Sequence, residues 1–295
     1  MKTKAIPLHP VERISVKEKE RFHEEFLKPN KPVIFKDLSH EWPAYTKWTY
    51  DYFKQLAGHV MVDLYNNLPA APDKSCMAPD ARMTFGEYLD LIEREPTDLR
   101  IFLFNLMKYA PQLKEDYRVP DVTDGFLKEL PFLFFGGTGS IVHMHYDIDM
   151  SHVFLTQFKG VKRVVLFAPE YTPFLYHLPF TVQSYVNVNE PDFERYPALR
   201  YVQGYECYLE YGDTLFIPAG YWHYIEYIEG GFGMSLRALN PSWMKRLEGA
   251  ANLFVKMPLD NFLRKYFTQS WYKYKHRKAF ERAEQAMKRH HAQAV

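Results

Sequence analysis

The chain has little cysteine. Only Cys76 and Cys207 occur among 295 residues, far apart in sequence, which excludes a disulfide framework and the paired spacing of a zinc ribbon. A reducing cytoplasm is the simplest home for such a chain. It also lacks a long apolar run: no stretch is apolar enough for long enough to span a bilayer, and the segment Met1 to Pro10 has none of the apolar character of a secretory leader. Neither sign of charge dominates, with 37 Lys and Arg against 36 Asp and Glu. No overall field therefore draws the chain to nucleic acid or to an acidic membrane, and a local basic patch stays open. Internal repeats and low-complexity tracts are absent as well.

What the chain has is aromatic and apolar bulk. Hydrophobic residues make up 47% and aromatic residues 17%, with 23 Phe and 22 Tyr. That is ample for a core and suits layers of strands faced with flat side chains. The N-terminal part reads as mixed. Ser15 and Glu18 form a capping-box pattern for a helix to about residue 27, and Thr84 and Glu87 form a second one for a helix to about 94. A helix follows Thr49 and stops at Gly58. Short strands are expected at 32–35 and 59–65, and a loop at 66–80.

From Arg100 onward the chain is strand-rich. The apolar run 101–106 reads as a buried strand, followed by strands at 132–135, 141–146, 153–158, 163–167, 206–210, 214–217, 223–228 and 233–239. Gly160 and Gly212-Asp213 are expected to be hairpin turns. Such spacing argues for an antiparallel sandwich or barrel. After Pro241 helical spacing returns, over 243–256 and 260–289, with a tail rich in Lys, Arg and His from Tyr272. The expected organisation is an N-terminal cap over 1–100, a barrel over 101–240 and a helical extension over 241–295.

The chemistry concentrates in His143-Met144-His145-Tyr146-Asp147. On a strand, residues i and i+2 share a face, so His145 and Asp147 can enter one cavity. His223, after the strand 214–218, can reach it from a second strand. Two histidines and one carboxylate on one side of a metal leave positions open, as in non-haem iron oxygenases. A lone His-x-Asp is weak, since 12 histidines are present; its company strengthens it. Lys162 follows the Lys159-Gly160 turn, where an oxo-acid carboxylate needs a cation. His143 shares the face of His145 on an ideal strand, so it too can point inward.

These residues carry a resemblance. From about Phe132 to Asn240 the chain resembles the jumonji-C, cupin-like oxygenases, and is similar to the group containing the asparaginyl hydroxylase of hypoxia-inducible factor. The matching stretches are His145-Tyr146-Asp147, the run from Gln157 to Arg163, Leu166 to Pro169, Pro191 to Pro197 and Gly212 to His223, in the family's order. The resemblance implies a mainly β fold, a double-stranded β-helix of jelly-roll type with flanking helices, binding Fe(II), 2-oxoglutarate and dioxygen. It implies His145, Asp147 and His223 as iron ligands and Lys162 as the partner of the distal carboxylate of 2-oxoglutarate. The family's frequent threonine three residues before the first ligand is Val142 here, with Ser140, His143 or Thr156 as replacements. A tyrosine on an earlier strand is also missing, and Asn105 is the candidate contact there. Arg237 stands where an asparagine lies near the cosubstrate and requires an anionic ligand or a nearby carboxylate.

The reaction implied is oxidation of a C–H bond coupled to decarboxylation of 2-oxoglutarate to succinate. The hydroxylation target is a protein side chain, an RNA base or a small molecule, with lysine demethylation ranked lower. The competing readings are a cupin metalloenzyme that does not use 2-oxoglutarate and a non-catalytic binding module. A homodimer through the C-terminal helices is expected, and no membrane partner.

Overall fold

The structure, a computed structural model, describes residues 5–68, 78–128 and 130–293. Cys76 and most of the expected 66–80 loop lie outside them. Among the described residues twelve strands form one sheet that bends over itself without closing. They are β1 (Leu8–Pro10), β2 (Glu12–Ile14), β3 (Val33–Phe35), β4 (Met61–Tyr65), β5 (Ala81–Thr84), β6 (Arg100–Ile101), β7 (Phe132–Gly136), β8 (Ile141–His145), β9 (His152–Phe167), β10 (Gly204–Leu209), β11 (Thr214–Ile217) and β12 (Trp222–Ala238).

Two long strands organise everything else. β9 and β12 run antiparallel over their full length, with Trp222 opposite Phe167 at one end and Ala238 opposite His152 at the other. Both bend midway. On β9 the bend is Gly160, at φ +72°. On β12 the register slips three times between Tyr227 and Gly233, as β-bulges do when they turn a strand. Close approach enforces glycine here: a Cβ on Gly231 would stand 1.8 Å from the carbonyl oxygen of Lys159.

The bend divides the sheet into two arms. One contains β11, the first half of β9, the second half of β12, and β7. The other contains β10, the second half of β9, the first half of β12, and β8. Val153, Leu155, Leu215 and Ile217 of the first arm share one buried cluster with Val164, Leu166, Cys207 and Leu209 of the second. The arms therefore close face to face as a sandwich, the expected jelly-roll architecture.

Three local expectations fail for physical reasons. Gly160 is not a hairpin turn; its left-handed backbone bends a strand that continues. Gly212-Asp213 joins β10 and β11, which pair with different halves of β9 instead of with each other. That turn transfers the chain between arms. The apolar run 101–106 is strand only at Arg100–Ile101. The chain turns at Leu103, φ +53°, and enters a 3-10 turn at Leu106–Lys108, so Ile101, Leu106 and Met107 are buried from a folded segment.

The N-terminal segment contributes strands to the same sheet: β3 pairs with β11, β1 with β10, and β4–β6 extend it beyond β7. Its helices are α1 (Lys19–Phe22, continuing as a π turn to Leu27), α2 (Ala44–Lys47), α3 (Tyr50–Ala57) and α4 (Phe85–Arg94). Thr49 caps α3, and Thr84 with Glu87 forms a full capping box on α4. At α1 only half of the expected box forms. Glu18 accepts from the Ser15 N–H, while the Ser15 hydroxyl turns to Asp37. Phe53 of α3 and Phe85, Tyr88 and Leu89 of α4 cover the outer face of the first arm against Phe135, Phe158 and Phe232.

The C-terminal segment is α5 (Trp243–Ala251), a π turn (Asn252–Lys256) and α6 (Met257–Gln293). α6 breaks at Phe267 (φ −130°, ψ 28°). Across the break the Asp260 carboxylate accepts from Trp271 Nε1 and Lys275 Nζ, at 2.8 and 2.7 Å. Beyond it, Ala279 and Ala283 pack against the outer face of the second arm. Among the described residues no helix is long and apolar enough to cross a membrane.

Candidate metal centre

His145 is the last residue of β8 and lies directly opposite His223, the second residue of β12. Their rings approach to 4.2 Å between centroids. Asp147 leaves the end of β8 on the same side, with Oδ2 3.9 Å from His223 Nε2. One donor atom from each residue lies within 4.8 Å of the others, the only such group among the described residues. The alternation of β8 and its register with β12 bring the three together, as the His-x-Asp spacing implies.

The backbone fixes which nitrogen each histidine offers. His145 Nδ1 is 2.8 Å from the carbonyl of His143, and His223 Nδ1 is 3.1 Å from the carbonyl of Tyr221. A carbonyl only accepts, so each Nδ1 carries the proton and each Nε2 keeps its lone pair. Electrostatics agree. Burial, then the neighbouring His223, holds His145 at about 3. Burial also lowers His223, against the pull of Asp147. Burial alone would raise Asp147, but Arg237 and the two imidazoles outweigh it and hold the carboxyl at about 2. Two neutral imidazoles and an ionised carboxylate at neutral pH are the protonation states that a divalent metal needs.

Arg237 finds its partner in protein carboxylates. Its guanidinium donates to Asp147 Oδ1 at 2.6 Å and to Asp149 Oδ1 at 2.8 Å. It thus orients the carboxylate from behind instead of standing free for a cosubstrate. His143 stays outside the donor group and meets the carbonyl of Asn67 through Nε2 at 2.8 Å. His152, which reads as a loop residue in sequence, is buried at the start of β9. Its Nδ1 accepts from the Ala219 N–H at 3.1 Å, and burial lowers it to about 4.

The second element is Lys162. It shares the inward face of β9 with Val164 and Leu166, is 1% exposed, and has no ion pair or side-chain hydrogen bond among the described residues. Its Nζ stands 4.7 Å from the centre of the Tyr227 ring, and burial lowers it to about 7. Gly233 on β12 leaves room beside it: a Cβ there would stand 3.0 Å from Lys162 Nζ and 2.9 Å from Gln157 Oε1. Alternation puts Ser235 on the same face, between the Gly233 notch and Arg237. Ser235 Oγ, Gln157 Oε1 and Asn105 Oδ1 are all buried without a partner. Asn105 follows Phe104, which bridges Leu133 of β7, the strand paired with Gly233–Ser235.

Buried orphans are uncommon. A lone ammonium on the same inner faces as an unpartnered hydroxyl, given room by a glycine on the facing strand, fits an anionic ligand end such as a carboxylate. Thr156 does not join this group. Its hydroxyl lies 2.8 Å from that of Thr214 on the opposite face of β9. Its neighbour Gln157, not singled out in the sequence, faces inward. Strict alternation counted from Leu155 was the available signal. A separate depression of about 830 Å³, away from this group, lies on β5 and α4 and is lined by Arg82, Glu87, Asp90 and Arg94.

The family described as a cupin-like domain matches residues 19–261. The chicken (Gallus gallus) tRNA wybutosine-synthesizing protein 5 is 33% identical over 250 aligned residues, covering 76% of this chain and 74% of that protein. The human protein of that name is 30% identical, covering 77% of each chain. Zebrafish (Danio rerio) lysine-specific demethylase 8 is 31% identical over 78% of this chain, which spans only 58% of the demethylase.

Proposed function

Because this chain belongs to the cupin-like domain family, in its jumonji-C branch, we propose that it hydroxylates a base carried by RNA, with tRNA as the first substrate class to test. The underlying activity is that of an iron(II)- and 2-oxoglutarate-dependent oxygenase. The observation that carries it is the pairing of a His145–Asp147–His223 donor set with a buried Lys162 that has no partner among the described residues, on the inner face of the same arm.

His145 Nε2, His223 Nε2 and an Asp147 oxygen would hold the metal. When bound, iron and 2-oxoglutarate reduce dioxygen, yielding succinate, carbon dioxide and a hydroxylated C–H bond. The protein's own residues do the rest. Lys162, with Ser235 beside it, holds the far carboxylate of the oxo acid. Arg237 keeps Asp147 ionised and aimed. Tyr227 and the apolar strands exclude water.

Two observations favour RNA. The wybutosine-synthesizing relatives align over about three quarters of both chains, whereas the match to the demethylase leaves much of that protein uncovered. The even overall charge also conceals an imbalance. Residues 241–295 hold twelve Lys and Arg against four Asp and Glu, a footprint suited to phosphates. The demethylase match favours a lysine side chain as the second reading. Sparse cysteine makes the cytoplasm the compartment we propose.

The test is succinate release by protein loaded anaerobically with Fe(II) and then given air. Slow turnover without substrate should vanish in His145→Ala/Asp147→Ala. Addition of tRNA should speed it by about tenfold, equivalent to 1.4 kcal/mol of barrier. Acceleration by a methylated-lysine peptide and not by tRNA would replace the substrate reading. Absence of turnover together with absence of 2-oxoglutarate binding would remove the oxygenase reading.

We also propose that a second copy of the chain covers the C-terminal helices. Trp243, Met244, Leu247, Phe254, Phe262 and Tyr266 are all more than half exposed there, a larger apolar display than a monomer usually tolerates. Sedimentation should find a dimer, and Phe254→Asp/Phe262→Asp should sediment as a monomer. A wild-type monomer at micromolar concentration would end this proposal.

A further inference from the structure

Behind the strands that carry the metal ligands lies a separate cavity of about 490 Å³. Phe174 and His177 line one wall. The other belongs to the last part of α6, through Arg282, Gln285, Arg289 and His290. Arg282 and Arg289 are seven residues apart, close to two helical turns, and so share a face. Neither has an ion pair among the described residues. The acids of that helix are engaged elsewhere, Glu281 by Lys278 and Glu284 by Lys288. The charges that reach His177 are Arg282 and Lys256, both positive.

The cavity therefore collects cations with no counter-charge among the described residues, and guanidinium groups recognise phosphate through forked hydrogen bonds. It is also flat-walled. The Phe174 ring lies 5.8 Å from Tyr201 and 6.3 Å from His290, and His290 lies 4.9 Å from Tyr201. Its volume falls in the small-molecule range of about 300–1,000 Å³. A single phosphate would leave most of it empty.

We propose that this cavity binds a nucleotide, with its phosphate between Arg282 and Arg289 and its base against the Phe174–His290 wall. The nucleotide is either free or one unit of an RNA strand. The site stands apart from the oxygenase cleft and does not rest on the substrate reading. It is nevertheless wired to that cleft. Thr172, also in its lining, accepts a hydrogen bond from Trp222 Nε1 at 2.9 Å. The His177 ring packs at 5.4 Å from Trp222 and 5.8 Å from Tyr146. Trp222 and Tyr146 directly precede the ligands His223 and Asp147 in sequence, so an occupant stands one side chain away from the metal-bearing strands.

Adenosine 5′-monophosphate titrated into the metal-free full chain, read by calorimetry and tryptophan fluorescence, tests the site. Binding should weaken by about tenfold or more in Arg282→Ala/Arg289→Ala, since each charged hydrogen bond contributes on that scale. It should be unchanged in Lys288→Ala, whose lysine is already paired with Glu284. All three side chains are exposed, and unchanged melting curves will show that the fold is intact. Displacement of the nucleotide by a single-stranded RNA 12-mer would identify an RNA unit as the occupant. Retention against the 12-mer would identify a free nucleotide. The proposal is overturned if the wild type binds neither probe, if the double variant binds as tightly as the wild type, or if inorganic phosphate binds as well as the nucleotide.

Discussion

Lys162→Met should abolish 2-oxoglutarate-dependent turnover while leaving the protein without ligand as stable as the wild type, or more so. The two effects have one cause. Lys162 is buried with no counter-charge among the described residues, and burial moves its ammonium from the ordinary lysine range down to about 7. Holding a charge there costs on the order of a few kcal/mol, which a methionine of similar length does not incur. In return the lysine offers the one feature methionine lacks, a cation for the far carboxylate of the oxo acid.

The sign of the pH dependence follows. Between about 7 and the unfolded value of 10.5 the unfolded chain binds more protons than the folded one, so wild-type stability rises with pH across that window. The methionine variant should lack this rise. Ligand binding has the opposite dependence, because the oxo acid needs the protonated amine. Affinity should weaken as pH climbs past about 7, with proton uptake visible in buffers of different ionisation enthalpy. A methionine variant that keeps full turnover would show that the carboxylate is held elsewhere.

Metal binding should stabilise the chain strongly, and Asp147→Asn should cancel that gain. The donor set is preformed, with both imidazoles neutral and the carboxylate ionised. A ligand at a thousandfold excess over its Kd adds about 4 kcal/mol. At roughly 2–4 °C per kcal/mol for large domains, the melting temperature should rise by roughly 8 °C or more. Manganese(II) serves as an air-stable probe. The asparagine keeps an acceptor for Arg237 but loses the charge that attracts the metal. An equal rise in Asp147→Asn would place the binding site somewhere other than these three residues.

The triad was legible because strand alternation converts a spacing of two into a shared face, whatever the surrounding fold does. The burial of Lys162 was legible from its place after Lys159-Gly160. The bends were not. A glycine with a left-handed backbone reads the same in sequence whether the chain reverses, as expected at Gly160, or only changes direction, as it does. What decides is the partner strand, and β12 bends at the matching place with Gly230 and Gly231. The contrast between Thr156 and Gln157 is a one-residue question of face. Polarity favoured the threonine, and register against β11 gave its hydroxyl to Thr214. Arg237 was recognised as needing an anion, but not that Asp147 and Asp149 would supply it. That pairing joins positions ninety residues apart through a fold that local pattern does not encode.

β12 also has a consequence for the order of folding. His223 and Arg237 both approach Asp147, on its two oxygens, although on a straight strand residues fourteen apart would be about 46 Å apart. The three donors come from one arm, but the Arg237 clamp on Asp147 cannot form until the strand has doubled over and both arms have met. A nascent chain presenting only β8 lacks His223 and has no complete trap for a stray cation. Loop closures of long range come first and are slow. The Arg237–Asp147 contact then acts as a late latch, slowing the reopening of the arms more than it speeds their assembly.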